Sequence, residues 1–149
     1  VIAVWWSQAT GSAVQRFLPI VEGLSQKYPQ GYSHIHIVKD KAGIPTPEAR
    51  AGFLQLMSEP ALGHVAVVIG GQGFWASAMR SAITGMQIMS PRAFQLRLHG
   101  SVSEVVASLP EAHLKRTGVE NETAALAAML ECAQGWLAAG RVEVDARDR

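Results

Sequence analysis

The most suggestive spacing in the chain is Gly71-Gln72-Gly73-Phe74-Trp75-Ala76, which fits G-x-G-x-x-A directly after an apolar run. A glycine turn between a strand and a helix aims backbone N–H groups at one point, the geometry that cradles a phosphate. Bulky Phe74 and Trp75 follow the second glycine, and no acid stands about 20 residues further on, where a dinucleotide fold keeps its ribose ligand. That region is Ser90 to Leu98. Dinucleotide binding is therefore disfavoured. The turn reads either as a looser anion or ligand contact or as a plain tight turn.

Other residues offer weaker chemistry. His34, His36 and His64 fall near the amino-terminal ends of two neighbouring strands. Zinc needs three or four ligands of defined geometry, and no carboxylate or thiol lies nearby in sequence, so solvated strand histidines and no metal site are expected. Cys132 lies beside Ala128 and Ala133 and reads as a small core or interface residue, with no neighbouring base to make it a nucleophile. Thr46, followed by Pro47 and Glu48, is a helix N-cap, and its hydroxyl is also a candidate phosphosite. A phosphate there would suit the helix dipole but displace the cap. Asp40, at a strand end, either orients a ligand or shapes a turn. Among Trp5, Trp6, Trp75 and Trp136, the adjacent Trp5 and Trp6 must face opposite sides of a sheet. They serve core packing, or one lines a pocket with Phe74 and Trp75 or covers an interface with Trp136. No nucleophile with a base, no carboxylate pair and no metal constellation is visible, which argues against an enzyme and implies no cofactor.

The elements that must position these residues follow from hydrophobic periodicity. His64 to Ile69 is apolar without alternation, as in a strand covered on both faces. From Phe74 the period becomes helical, with Trp75, Met79, Ala82, Ile83 and Met86 on one face. Val1 to Trp6 reads as a strand and Ser7 to Ser12 as a loop. The next helix turns Val14, Phe17, Leu18, Val21 and Leu24 inward, with Pro19 implying a kink or a start near Phe17. Tyr32 to Lys39 alternates His34 and His36 against Ile35 and Ile37, a strand with one wetter face. A helix from Thr46 to Ser58 buries Ala49, Phe53, Leu56 and Met57. Ala93 to His99 sets Phe94, Leu96 and Leu98 against Gln95 and Arg97, as an outer strand does. Ser101 and Glu104 form a capping box for a short helix ending at Pro110. Residues 110–121 read as a polar linker. Residues 122–139 form an amphipathic helix with Leu126, Met129, Leu130, Ala133, Trp136 and Leu137 on one side, and residues 141–149 form a charged, frayed tail.

This order, β-α-β-α-β-α-β-α, predicts an α/β single domain. Its mostly parallel four- or five-stranded sheet carries packed helices on right-handed crossovers, with an extra C-terminal helix. Residues 1–110 make the α/β unit, and residues 111–149 the linker, helix and tail. Ligands and partners of such sheets sit at the strand carboxyl ends. Here those are Ser7 to Gly11, Asp40 to Thr46, Gly70 to Gly73, and His99 to Ser101.

Composition narrows the classes. The 149 residues are 48% hydrophobic and 17% charged, the profile of a globular chain. Net charge is +1, and the split between residues 1–110 (+3) and 111–149 (−2) gives no footprint for nucleic acid. One cysteine excludes an internal disulfide and fits a reducing compartment. With no apolar run near the roughly 20 residues that span a bilayer and no visible signal peptide, a cytoplasmic protein without a membrane span is expected. The chain begins at Val1, inside what reads as a strand, which leaves room for an upstream strand.

Ile83-Thr84-Gly85-Met86, then Phe94 to Leu98, then Ser101-Val102-Ser103-Glu104-Val105-Val106-Ala107-Ser108-Leu109, together resemble a STAS domain of the SpoIIAA-like, anti-sigma-factor-antagonist type. In that family a helix ending Leu-Thr-Gly-Leu leads through a loop and strand to a closing S-x-x-E-A-x-x-x-L helix. The order of elements matches over roughly residues 1–110. Members switched by phosphorylation carry Asp-Ser-Ser-Gly at the second helix, where this chain has Ile44-Pro45-Thr46-Pro47. It is therefore similar to the subgroup lacking the serine motif, which is related in shape to a lipid-binding fold. The resemblance implies a non-enzymatic regulatory module with a protein partner docking on loops 40–46 and 70–74. A homodimer through the late helix is a further expectation. The alternative is an α/β domain that binds an apolar or phosphorylated small molecule at Gly71 to Gly73. Asp40, Thr46, Gly71, Gln72, Gly73 and Trp75 are the site residues of these readings.

Overall fold

A computed structural model describes residues 1–90 and 95–139. Four strands, β1 (Ile2–Trp5), β2 (Tyr32–Val38), β3 (Leu62–Ile69) and β4 (Gln95–His99), form one sheet in the order β1-β2-β3-β4, every pair parallel. Helices α1 (Gly11–Lys27), α2 (Pro47–Met57) and α3 (Phe74–Met89) make the crossovers. Each step moves to the adjacent strand in the same direction, so crossovers of one hand put all three helices on one face. The chain closes with α4 (Val102–Thr117) and α5 (Thr123–Ala139). These two cover the other face, where Val105, Leu109, Leu126 and Leu130 pack on Ile35, Ile37, Ala66 and Val68.

Being covered twice, the central strands β2 and β3 are buried on both sides, while β1 is half-buried and β4 exposes Gln95 and Arg97. All eight residues of β3 are buried, as its unbroken apolar run requires. The wetter face expected of β2 is absent: six of its seven residues are buried, with His34 at 1% and His36 at 6% exposure. The physical reason is remote in sequence. Strand alternation sends Tyr32, His34 and His36 toward α1–α3 and Ser33, Ile35 and Ile37 toward α4–α5. Neither face reaches water.

The local signals mostly act as read. Thr10 caps α1 by accepting from the Ala13 amide at 3.3 Å, and Thr46 caps α2 through the Ala49 amide at 3.2 Å. Ser101 caps α4, and Glu104 accepts from the Gly100 amide at 2.9 Å. Three expectations need correction. Helix α1 runs unbroken from Gly11 through Pro19, because Pro19 and Gln15 (whose carbonyl loses its bond) both lie on the exposed side where water can substitute. The linker expected from residue 110 is instead the last part of α4. That helix continues past Pro110, buries Ala112 and His113, and stops at Gly118, which takes φ 73° and returns its amide to the Leu114 carbonyl. On α5 the inward stripe is Leu126, Leu130 and Ala133 with Leu137 partly covered, while Met129 and Trp136 stand outside at 57% and 44% exposure. Phe94 and the charged tail of residues 141–149 lie outside the described residues.

Helices α1 and α2 approach at a glycine. A Cβ on Gly52 would lie 2.7 Å from Cγ1 of the fully buried Val14. Among the described residues, no helix is long and apolar enough to cross a membrane.

Candidate functional site

The strand carboxyl ends gather three loops, and side chains fasten them. The indole N–H of Trp75, at the start of α3, donates to the Ala42 carbonyl of the loop after β2 at 2.5 Å. Gln8, in the loop after β1, donates from Nε2 to the Ile44 carbonyl at 2.8 Å, and the Thr46 amide donates to the Ala9 carbonyl at 3.1 Å. Arg80 reaches back from α3 to the Ile69 carbonyl at 3.0 Å and the Gly71 carbonyl at 3.4 Å. Loops 40–46 and 70–74 are thus one fastened surface.

Of the six residues read as a site, Asp40, Gly71 and Trp75 come together. The Asp40 carboxylate sits 3.5 Å from where a Gly71 Cβ would be, and Trp75 clamps the same loop. Gln72 and Gly73 are exposed beside them. Thr46 belongs to the other end of its loop, and its hydroxyl is engaged as the α2 cap. The surface also presents two apolar side chains: Phe74 at 91% exposure and Ile44 at 39%.

Gly71 and Gly73 both have positive φ, 77° and 94°. Gly73, at ψ −170°, occupies a region open almost only to glycine, and α3 has no side-chain cap. Gly73→Ala is expected to lower stability by about 1–3 kcal/mol through backbone strain, although an added Cβ meets nothing within 4 Å. A denaturation midpoint equal to the parent's would show that this turn relaxes freely.

Beneath the loops lies a cavity of about 50 Å³ between the sheet and helices α2 and α3. Phe53, Val67, Met79 and Ile83 wall it, Ser7, Ala9, Gly43 and Pro45 bring it to the loops, and Trp5 and His36 stand together in its lining. Trp5 donates its indole N–H to Nδ1 of His36 at 2.9 Å, the rings nearly parallel at 18°. Burial lowers the His36 pKa to about 4, so the ring is neutral at pH 7.

Of the other histidines, His34 stands beside it, with ring centroids 5.7 Å apart, and His64 does not join them. His34 shares the α1–α3 face, wedged between Phe17 and Tyr32, with neither ring nitrogen partnered. Burial, with His36 adding repulsion, lowers its pKa to about 2. His64 points to the opposite face and is likewise sealed without partners; burial first, then Arg97, His99 and His113, lower it to about 4. His34 and His36 share one face, but His64 pairs with Ser33 and so faces the other side of the sheet, and the three do not converge. Their expected solvation fails because both sides are covered. Among the described residues no group of His, Cys, Asp or Glu could hold a metal ion. Cys132 is exposed on α5 rather than in the core.

Sequence reasoning missed Trp5 and His36 as a pair. Their bond depends on the β1–β2 register, which sets Ala3 opposite His36 and Trp5 opposite Val38. The available hint was the aromatic density of Trp5, Phe17 and Phe53 around an imidazole that must then be buried. Comparison of the chain with protein-family models, with curated proteins and with solved structures returns no match.

Proposed function

We propose that the chain is a non-enzymatic binding module of STAS/SpoIIAA-like type, acting in the cytoplasm and docking a protein partner on loops 40–46 and 70–74. One observation carries this reading: Phe74 is almost wholly exposed at the start of α3, on a turn that is itself fastened to the 40–46 loop, which exposes Ile44. A rigidly mounted aromatic loses little freedom on entering a partner's pocket, which is how interface anchors gain their energy. The residue types around it support binding over catalysis, since glycines, an amide and apolar side chains surround a single carboxylate, Asp40, with the Thr46 hydroxyl in use as a cap. The family resemblance supports it through the order of elements over residues 1–110.

The test compares capture from a lysate of the protein's own source by the parent chain and by Phe74→Asp. A stoichiometric protein retained by the parent and lost from the variant, at unchanged melting temperature, is the expected result. Equal retention by both, or retention by neither, removes the reading. A phosphorylated ligand at the Gly71–Gly73 turn is favoured by the uncapped amides of α3. Amide shifts of residues 73–76 that ignore added inorganic phosphate would eliminate it. A homodimer through Met129 and Trp136 on the outer side of α5 is disproved by one mass across a concentration series in light scattering.

A further inference from the structure

The cavity beneath the loops carries an inference independent of partner docking. An indole N–H can only donate, so Nδ1 of His36, which receives it, holds no proton. The single proton of the neutral ring is therefore on Nε2. The two ring nitrogens diverge, which sends the Nε2–H away from Trp5. The ring nitrogens of His34 and His64 are walled in without partners; Nε2 of His36 is not walled in, has no partner among the described residues, and belongs to a ring that lines the cavity. One oriented donor is thus left to a space that, among the described residues, is otherwise lined by apolar groups except for Ser7.

Water fits that space poorly. One water needs about 10–15 Å³ and two to four polar partners. At about 50 Å³ the volume is ample, but the deep wall offers a single N–H, the Ser7 hydroxyl lying out at the loops. An anion fits poorly as well, because among the described residues no Lys or Arg lines the cavity to balance it. We infer that this cavity binds a small neutral molecule that is apolar except for one hydrogen-bond acceptor, a carbonyl oxygen, which receives the Nε2–H of His36. Trp5 is the positioning residue, since it fixes the tautomer that turns the donor inward. The neutrality of His36 well below pH 7 agrees with a donor that carries no charge.

The test uses two probes of one shape, cyclopentanone and methylenecyclopentane, which has CH₂ in place of the carbonyl oxygen. The Trp5 indole N–H and the His36 Nε2–H are followed by nuclear magnetic resonance. The ketone is expected to move both signals and to bind about tenfold more tightly than the alkene, the worth of one neutral hydrogen bond. His36→Leu should erase that preference, and Met79→Trp, which fills the space, should abolish binding of both. Equal affinity of the two probes for the parent chain overturns the inference, and this arm needs no variant to fold. So does the absence of any shift up to the solubility of the ketone, or ketone binding that survives Met79→Trp. Phe74 lies outside the cavity lining, so failure here and failure of partner docking are told apart.

Discussion

Between pH 7 and pH 5 the protein is expected to lose about 6 kcal/mol of folding stability, a large share of the about 5–15 kcal/mol that holds an ordinary domain folded. The source is three buried imidazoles: His34, His36 and His64 expose 1%, 6% and 0% of their surface. Burial lowers their pKa values to about 2, 4 and 4, from an unfolded value near 6.5. A group whose folded pKa is depressed in this way stays neutral in the native state while the unfolded chain takes up a proton. Stability is therefore complete above about pH 6.5 and falls as pH drops below it. The loss ends near pH 4 for His36 and His64 and continues toward pH 2 for His34. At pH 5 each contributes about 2 kcal/mol. His99 and His113, also lowered by burial first, push the same way. Urea midpoints at pH 7.5, 6 and 5 test this. A flat series would mean that these rings are not buried and neutral together. His34→Phe should remove about a third of the acid loss, since Phe17 and Tyr32 already form an aromatic bed for it.

The second large effect is expected where α1 meets α2. In an isolated helix Gly52→Ala would gain about 1 kcal/mol of propensity. Here the new Cβ would lie 2.7 Å from Cγ1 and 3.3 Å from Cβ of Val14. Val14 cannot yield readily, because it is fully buried and its branched side chain has one favoured rotamer in a helix. Overlap therefore wins over propensity. Gly52→Leu, which must part the two helices, should cost about 3 kcal/mol or more, a melting-temperature drop of about 6–12 °C at this chain length. Val14→Ala costs stability alone by opening a cavity. Combined with Gly52→Ala it should be less harmful than the sum of the two, since one methyl occupies the space the other vacates. Additive losses in that cycle would refute the contact.

What could be read from the chain beforehand was whatever neighbours in sequence decide. The run from Val65 to Ile69 had no polar position, so both its faces had to be covered, and they are. The Thr46-Pro47-Glu48 start and the Ser101 cap specified helix beginnings by chemistry within one turn. His34 and His36 were read as wet because alternation with Ile35 and Ile37 looks the same in a half-exposed strand and in one covered twice. Whether α4 and α5 return to cover the far face is decided some 70 to 100 residues later. The Trp5–His36 bond was hidden for the same reason, being a matter of register between strands 31 positions apart. On α5, nearly every side chain is apolar, so periodicity could not separate Leu130, which is buried, from Met129, which is not. The exposure of Phe74 depends on the angle at which a glycine turn launches α3, which no hydrophobic pattern records.

The strand order of the sheet is also the order of synthesis. Each new strand leaving the ribosome finds its permanent neighbour already made, so the sheet can grow by addition at one edge and need not wait for a distant segment. Its second face has no such provision. Ile35, Ile37, Ala66 and Val68 lack the cover of α4 and α5 until those two helices have emerged. For the interval in which residues 1 to 100 have emerged without α4 and α5, the nascent chain carries an apolar sheet face with open strand edges, the kind of surface that aggregates or recruits chaperones. A ribosome paused before α4 should therefore hold a sticky product, and one paused after α5 a quiet one.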